Sequence, residues 1–278
     1  MMNRFPPVFP MPEAINYGED TYGLFQDFDL AGVWLRMRWV PPGEFWMGGP
    51  ENEKGRYDDE THQYIEITKG FWLAETTVTQ AFWQAIMGKK QGHFKGDTLP
   101  VDSVNWHDCQ ACIEALARIN PQLDWRLPTE VEWEYACRAG TTTPFNFAGD
   151  ISLEKVNYCG EWDSLNDAKG ALQKTCDVKS FKPNPLGLYQ MHGNVWEWCS
   201  TPWQEQASPQ QHDSEISVDE TLDEDIEYVV RGGSWRADGR YCRSAFRACF
   251  HAGFRFHAIG FRLALGLELR RPAELGQE

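Results

Sequence analysis

Between Val33 and Val40 the apolar residues alternate. Val33, Leu35, Met37 and Trp39 fall on one side, with Trp34, Arg36 and Arg38 on the other. A period of two predicts a half-buried strand, ended by the Pro41-Pro42-Gly43 turn. Residues 45–48 and 64–67 read as further short strands. Residues 79–87 read as a helix, with Thr79 as its N-cap and Gly88 as its stop. Trp106–Ile119 places Cys112, Ala115, Leu116 and Ile119 on one helical face. A third helix opens at Pro128-Thr129-Glu130, where Thr129 and Glu132 stand at capping-box spacing. Trp133 and Cys137 face its core side, and Gly140 ends it.

Beyond Gly140 no helix is predicted. Strands are expected at 196–199, 229–232 and 260–265, with 259–265 in the central sheet near 229–232. About three helices and about eight to ten short strands, joined by irregular chain, describe an α+β class rather than a doubly wound sheet. With no internal repeat and no linker, residues 32–267 form one domain. Residues 1–31 are expected to pack on it as an extension, and 268–278 to form a tail with the chain ends close together.

The length of 278 residues with 42% hydrophobic side chains suffices for a large core. A mean hydropathy of −0.54 excludes a spanning helix, and residues 1–20 have no apolar signal core, so a cytoplasmic location is expected. The formal charge of −15 argues against nucleic acid or an anionic membrane as partner. Nine of the acids lie between Gln204 and Tyr228 without one Lys or Arg, so 204–228 reads as a solvated, mobile loop. Its DETLDED run lacks the ligand spacing of a calcium loop. The eight cysteines read as reduced thiols, and Cys109-x-x-Cys112, inside a helix, as a buried pair rather than a redox motif. Aromatics reach 14%, enough for aromatic-filled niches, a binding surface, or both.

Motif chemistry is sparse. Phosphate-binding glycine loops, HExxH and GxSxG are all missing, and no two histidines stand at helical metal spacing. Eight segments do occur in a telling order: WVPPGEFWMGG, ETTVTQAFWQAIMG, PVDSVNWHDC, WRLPTEVEWEYACRAG, NPLGLYQMHGNVWEWC, VVRGGSW, CRSAFR and IGFRLAL. Together they resemble the formylglycine-generating-enzyme/sulfatase-modifying domain, a branch of the C-type lectin fold. The resemblance spans nearly the whole domain and implies a loop-rich C-type-lectin-like fold with few helices.

In that family two cysteines bind copper, and their positions here are Ala237 and Cys242. One thiolate cannot give the two-sulfur coordination that Cu(I) favours, so the expectation is a non-enzyme. The alternatives are an oxidoreductase in which Cys242 works with Cys249, and a ligand-free scaffold whose 236–258 segment is buried or disordered. The ergothioneine-type relatives use a three-histidine iron site on an added helical domain, which this chain lacks. The family also implies structural calcium. Its ligands would fall at Gln190 (usually Asn), Gly193, Val195 and Glu197, with a second site at Asn157 and Tyr158. Glu197 reads equally as a buried carboxylate paired with Arg247 or Arg262.

Residues 236–258, RADGRYCRSAFRACFHAGFRFHA, contain no Lys, Glu, Gln, Met or Trp, although the chain has 13 Trp and 7 Met. These five types are the ones that adenine-directed mutagenesis of AAC codons cannot produce. The segment is similar to the variable region of bacterial diversity-generating-retroelement proteins, which run from GGSW to IGFRLA on this same fold. The resemblance implies diversified positions at Arg236, Ala237, Asp238, Tyr241, Phe246, Ala248, Phe250, His251, Phe254, Phe256, His257 and Ala258. Cys242, Arg243, Arg247 and Arg255 would be framework. Tyr and Phe supply rigid contact area and Arg, Asp and His directional contacts, which favours an exposed patch over a core. The expected function is binding of a protein or cell-surface molecule by a monomer.

Overall fold

The computed structural model describes residues 4–164, 168–206 and 226–267. The alternating segment is strand β3 (Val33–Val40), at the middle of a six-stranded sheet. Strands β1 (Asn16–Asp20) and β2 (Gly23–Leu30) pair antiparallel in sequence and lead into it, so residues 16–30 are sheet strands. On the other side of β3 lies β6 (Phe71–Ala74), whose four apolar residues are all buried. β12 (Ala264–Leu265) and β7 (Trp125–Arg126) complete that sheet. A hairpin of β4 (Gly43–Met47) and β5 (Gln63–Ile67) stands apart from it. The second sheet has the order β10-β9-β8-β11. It comprises β8 (Trp196–Pro202), β9 (Glu227–Arg231), β10 (Ala248–His251) and β11 (Ile259–Phe261), with β10 on an edge.

The helices form where local signals place them. In α1 (Gln80–Met87), Thr79 accepts from Phe82 N and Gly88 closes the end at φ 67°. In α2 (Trp106–Ile119), Asn105 and Asp108 make a reciprocal capping box, and Cys109 and Cys112 are fully buried. In α3 (Glu130–Arg138), Thr129 and Glu132 do the same. At the end of α3 Gly140 is left-handed at φ 88°, as a helix stop requires, and Ala139 before it already turns left-handed at φ 46°.

Trp72, Trp83, Trp125, Trp133 and Trp198 are fully buried, so much of the aromatic content is core. Strands β7, β11 and β12, of two or three residues, are too short to carry a period. The expected single strand over 259–265 is divided between the sheets. β11 pairs parallel with β8, one strand away from β9, and β12 pairs antiparallel with β6 and β7. The divider is Arg262, whose buried guanidinium donates to Glu197 and to the carbonyls of Ala74, Glu75 and Tyr189. Most of the expected acidic loop, residues 207–225, lies outside the described residues, as do 268–278 and both chain ends. At the described edge of that loop, β9 begins at Glu227 and Tyr228 is buried against Trp106, so 227–228 are strand.

Candidate functional site

Strand β9 delivers the chain into Gly232 and Gly233, at φ 93° and 75°. A Cβ on Gly233 would stand 2.6 Å from Cys242 Sγ, so glycine is what lets the following loop fold back on itself. The loop is then held by buried arginines. Arg243 pairs with both Glu60 oxygens and with Glu53 at 2.7 Å, and donates to Gly55 O at 2.6 Å. Arg247 grips Glu130 of α3 through two bonds of 2.6 and 2.9 Å. Arg231 reaches Glu134 and the carbonyls of Ser244 and Ala245. Bidentate arginine–carboxylate geometry is what makes such desolvated charges tolerable. His192 adds a neutral pin: its Nδ1–H donates to Cys242 O at 2.7 Å and Nε2 accepts from Asn146 N at 3.1 Å. Burial pushes its pKa down to about 4.

The second half of the loop is held differently. Trp106 N donates to Ala252 O at 3.0 Å, Asn105 Nδ2 to Gly253 O at 3.3 Å, and Ser103 N to Phe256 O at 3.2 Å. The start of α2 thus binds the loop through its carbonyls and leaves the side chains to point elsewhere. Arg255 joins Asp108 at 2.8 Å, but it is half exposed; its framework role is that of a surface pair, weaker than expected.

Of the twelve expected positions, Arg236, His251 and Phe254 are exposed, and Tyr241, Phe246, Ala248, Phe250, Phe256 and His257 are half-buried. Ala237, Asp238 and Ala258 are buried, which corrects their expected place on an exposed patch. Asp238 caps the 3-10 turn Gly239–Cys242 by accepting from Arg240 N at 3.1 Å. Ala237 O accepts from Cys159 N and Ala258 O from Trp196 N, so both belong to the supporting network.

The surface residues gather into two aromatic groups. Phe250 stacks on Phe254 at 4.7 Å, Phe254 on Phe256 at 6.3 Å, and Phe256 meets His257 at 4.2 Å. His257 continues the ridge to His93 at 5.0 Å and to Trp235 at 5.4 Å. Tyr241 and Phe246, 4.7 Å apart, form the second group with Tyr57 and Trp196. Tyr57 and His93 have no local sequence signal; loops distant in the chain bring them here, while Trp196 comes from the start of β8. Burial, His93 and Arg236 hold His257 below the ordinary histidine range. Asp102, beneath them, is pushed up by burial, and its Oδ2 has no hydrogen-bond partner.

The sulfatase-modifying factor enzyme 1-like domain model matches residues 34–267. The chain belongs to that family. It is 29% identical to the formylglycine-generating enzyme of Mus musculus over 218 residues, 74% of this chain and 54% of that protein. It is 30% identical over 213 residues to the inactive C-alpha-formylglycine-generating enzyme 2 of Bos taurus, covering 74% and 62% respectively. Among solved structures, Treponema denticola variable protein 1 matches with a TM-score of 0.65 at 25% identity, over 86% of this chain and 98% of that one. The chain spans only 54% and 62% of the two curated relatives. Family members thus include proteins named as an enzyme and as an inactive enzyme.

Against the family's copper chemistry, Ala237 leaves Cys242 without its partner. Cys242 is fully buried, and burial first, then Asp238 and Cys159, drives its thiol well above the ordinary range. Cys249 is not brought to it: that thiol lies against Glu227 at 3.5 Å, and its pKa is pushed up to about 12, chiefly by burial. Thiolate is the form that binds metal or attacks, and both sites suppress it.

The implied calcium residues divide. Glu197 accepts from Arg262 at 2.8 and 3.0 Å and from Trp133 Nε1 at 2.8 Å. Its partner is therefore Arg262 rather than Arg247. Gln190 is occupied by Asp177 O and the Cys176 thiol. A cation placed with Gln190, Gly193, Val195 and Glu197 would face a guanidinium, so this set does not fit one. At Asn157 and Tyr158, the buried Asn157 Oδ1 has no hydrogen-bond partner, while the Tyr158 hydroxyl donates to Gly160 O. That single oxygen suits a cation or a water, and no group of three or more His, Cys, Asp or Glu able to hold a metal occurs among the described residues.

Proposed function

We propose that this protein is a non-catalytic binding protein, the variable protein of a diversity-generating retroelement, whose side chains between 236 and 258 choose its ligand. The observation that carries this reading is the aromatic ridge Phe250–Phe254–Phe256–His257, whose backbone is held at the start of α2 and which presents Phe254 to solvent with Phe250, Phe256 and His257 half-buried beside it. A segment free of five residue types supplies the ridge, as adenine-directed codons would require. Aromatic rings beside Arg236, Arg255 and His251, with no lysine, form the composition of protein-binding hot spots. The ligand class is therefore a protein or cell-surface molecule, bound by a monomer. Any structural calcium belongs at Asn157–Tyr158.

The test is a library with NNC codons at Arg236, Tyr241, Phe246, Ala248, Phe250, His251, Phe254, Phe256 and His257. Most members should melt as the parent does, and selection against unrelated proteins should return different sequences. Widespread unfolding would sink the reading. In the source genome, a near-copy of the DNA for residues 235–261 should lie beside a reverse transcriptase gene and differ only at adenines. Its absence would remove diversification and leave a fixed binding surface. A Cu(I) titration should show no tight stoichiometric binding that Cys242→Ser abolishes; such binding would restore the oxidoreductase reading.

A further inference from the structure

A cavity of about 500 Å³ opens beside the 3-10 turn, and none of its lining residues falls within 236–258. Its volume lies in the range of small-molecule sites, about 300–1,000 Å³. Its walls are aromatic. Phe145 and Phe147 stack at 5.3 Å with only 4° between their planes, and Trp162 meets Phe145 edge-on at 6.4 Å. The turn braces the Trp162 wall: Gly239 N donates to Glu161 O at 2.8 Å and Arg240 N to Trp162 O at 3.1 Å. A Cβ on Gly239 would press to within 3.1 Å of the Trp162 ring.

Two ammonium groups flank this aromatic slot. Lys54 Nζ stands 4.4 Å from the centre of the Trp162 ring, and Lys155 Nζ 4.9 Å from that of Phe147. Lys155 is committed to the carbonyls of Ala148 and Asp150 at 3.0 Å each. Lys54 is exposed and has no ion-pair partner among the described residues. Lys54 is the one cation and Asp150 the one acid in the lining, so any preference for an anion rests on the unpaired ammonium of Lys54. Burial holds the Tyr158 hydroxyl up at about 12, so it adds no anion.

We propose that this cavity binds a small, flat aromatic acid, its ring against Trp162 and Phe147 and its carboxylate on Lys54. A cationic ligand would meet Lys54 and Lys155 already over the aromatic rings, whereas a carboxylate gives the unpaired Lys54 an ion-pair partner. The site stands independently of the diversified surface, because its residues would be the same in every variant.

The probes are indole-3-acetate, the neutral 3-methylindole and the cationic tryptamine, titrated into the full chain by calorimetry. Indole-3-acetate should bind roughly two- to fivefold more tightly than 3-methylindole, the range for one exposed ion pair, and tryptamine most weakly. Lys54→Met, at an exposed position, should erase the advantage of the acid and leave 3-methylindole unchanged. Phe147→Ala should weaken both, with a melting curve to confirm folding. Equal binding of the three probes, an unaltered acid affinity in Lys54→Met, or no binding at about 1 mM would overturn the proposal. Neither the diversified-library result nor the genomic one depends on these outcomes.

Discussion

Residues 236–247 and 248–258 are adjacent in the chain yet differ in how much their own side chains do to secure them. In the first stretch the loop's own side chains share the holding with outside donors to its carbonyls: Asp238 caps a turn, and Arg243 and Arg247 enter buried carboxylate pairs. In the second stretch the surroundings hold the loop, as Ser103, Asn105 and Trp106 bind its carbonyls. The side chains of Phe250, Phe254 and Phe256 stack on one another, Phe254 exposed and the other two half-buried against the core. A loop held by its carbonyls can change its residues freely, because the bonds do not depend on side-chain type. A loop held by guanidinium groups cannot.

Breaking the first stretch should have the largest effect. Arg243→Ala strands Glu60 and Glu53 in a buried site, and should cost about 3–5 kcal/mol, the usual cost of an uncompensated buried charge. The denaturant midpoint should fall accordingly. A loss below about 1 kcal/mol would mean that these pairs are surface-like.

Acid should act next, through His192. Its folded pKa of about 4 lies below the ordinary histidine value near 6.5, so the unfolded chain binds the extra proton. The stabilisation is complete above pH 6.5 and is lost as pH falls from there toward 4, amounting to roughly 3 kcal/mol. Urea midpoints at pH 7, 6 and 5 should show the decline, and His192→Asn should flatten it. An unchanged slope in that variant would place the titration elsewhere.

The two smallest effects belong to the second stretch. Arg255→Ala, removing a half-exposed pair with Asp108, should cost about 0.2–1 kcal/mol and less in high salt. Phe254→Ala removes a ring that is 41% exposed and should leave stability within about ±0.5 kcal/mol while altering ligand binding. A stability loss comparable to that of Arg243→Ala would erase the contrast between the stretches.

The helices were legible because caps and periods are local. Thr79, Gly88, Thr129 and Glu132 act within one turn of where they stand, as does the Asn105–Asp108 box that the structure adds. The family was legible from ordered motifs, and the 236–258 segment from its missing residue types. The left-handed turn of Ala139 at the end of α3 was not, since it precedes a Gly140 that is left-handed as well.

What the sequence by itself determined is therefore the set of elements, the lectin-type framework and the stretch on which the proposed binding surface rests. Only the tertiary structure decided which of those side chains reach solvent. Ala237, Asp238 and Ala258 are in the same segment as Phe254 but are buried, where the chain is tied to Cys159, Arg240 and Trp196. Arg262 divides one apolar run between two sheets because Glu197, 65 residues away, waits in the core. Tyr57 and His93 join the surface only because separate loops close over it. Such contacts depend on residues distant in the chain, and no local period or spacing encodes where they meet.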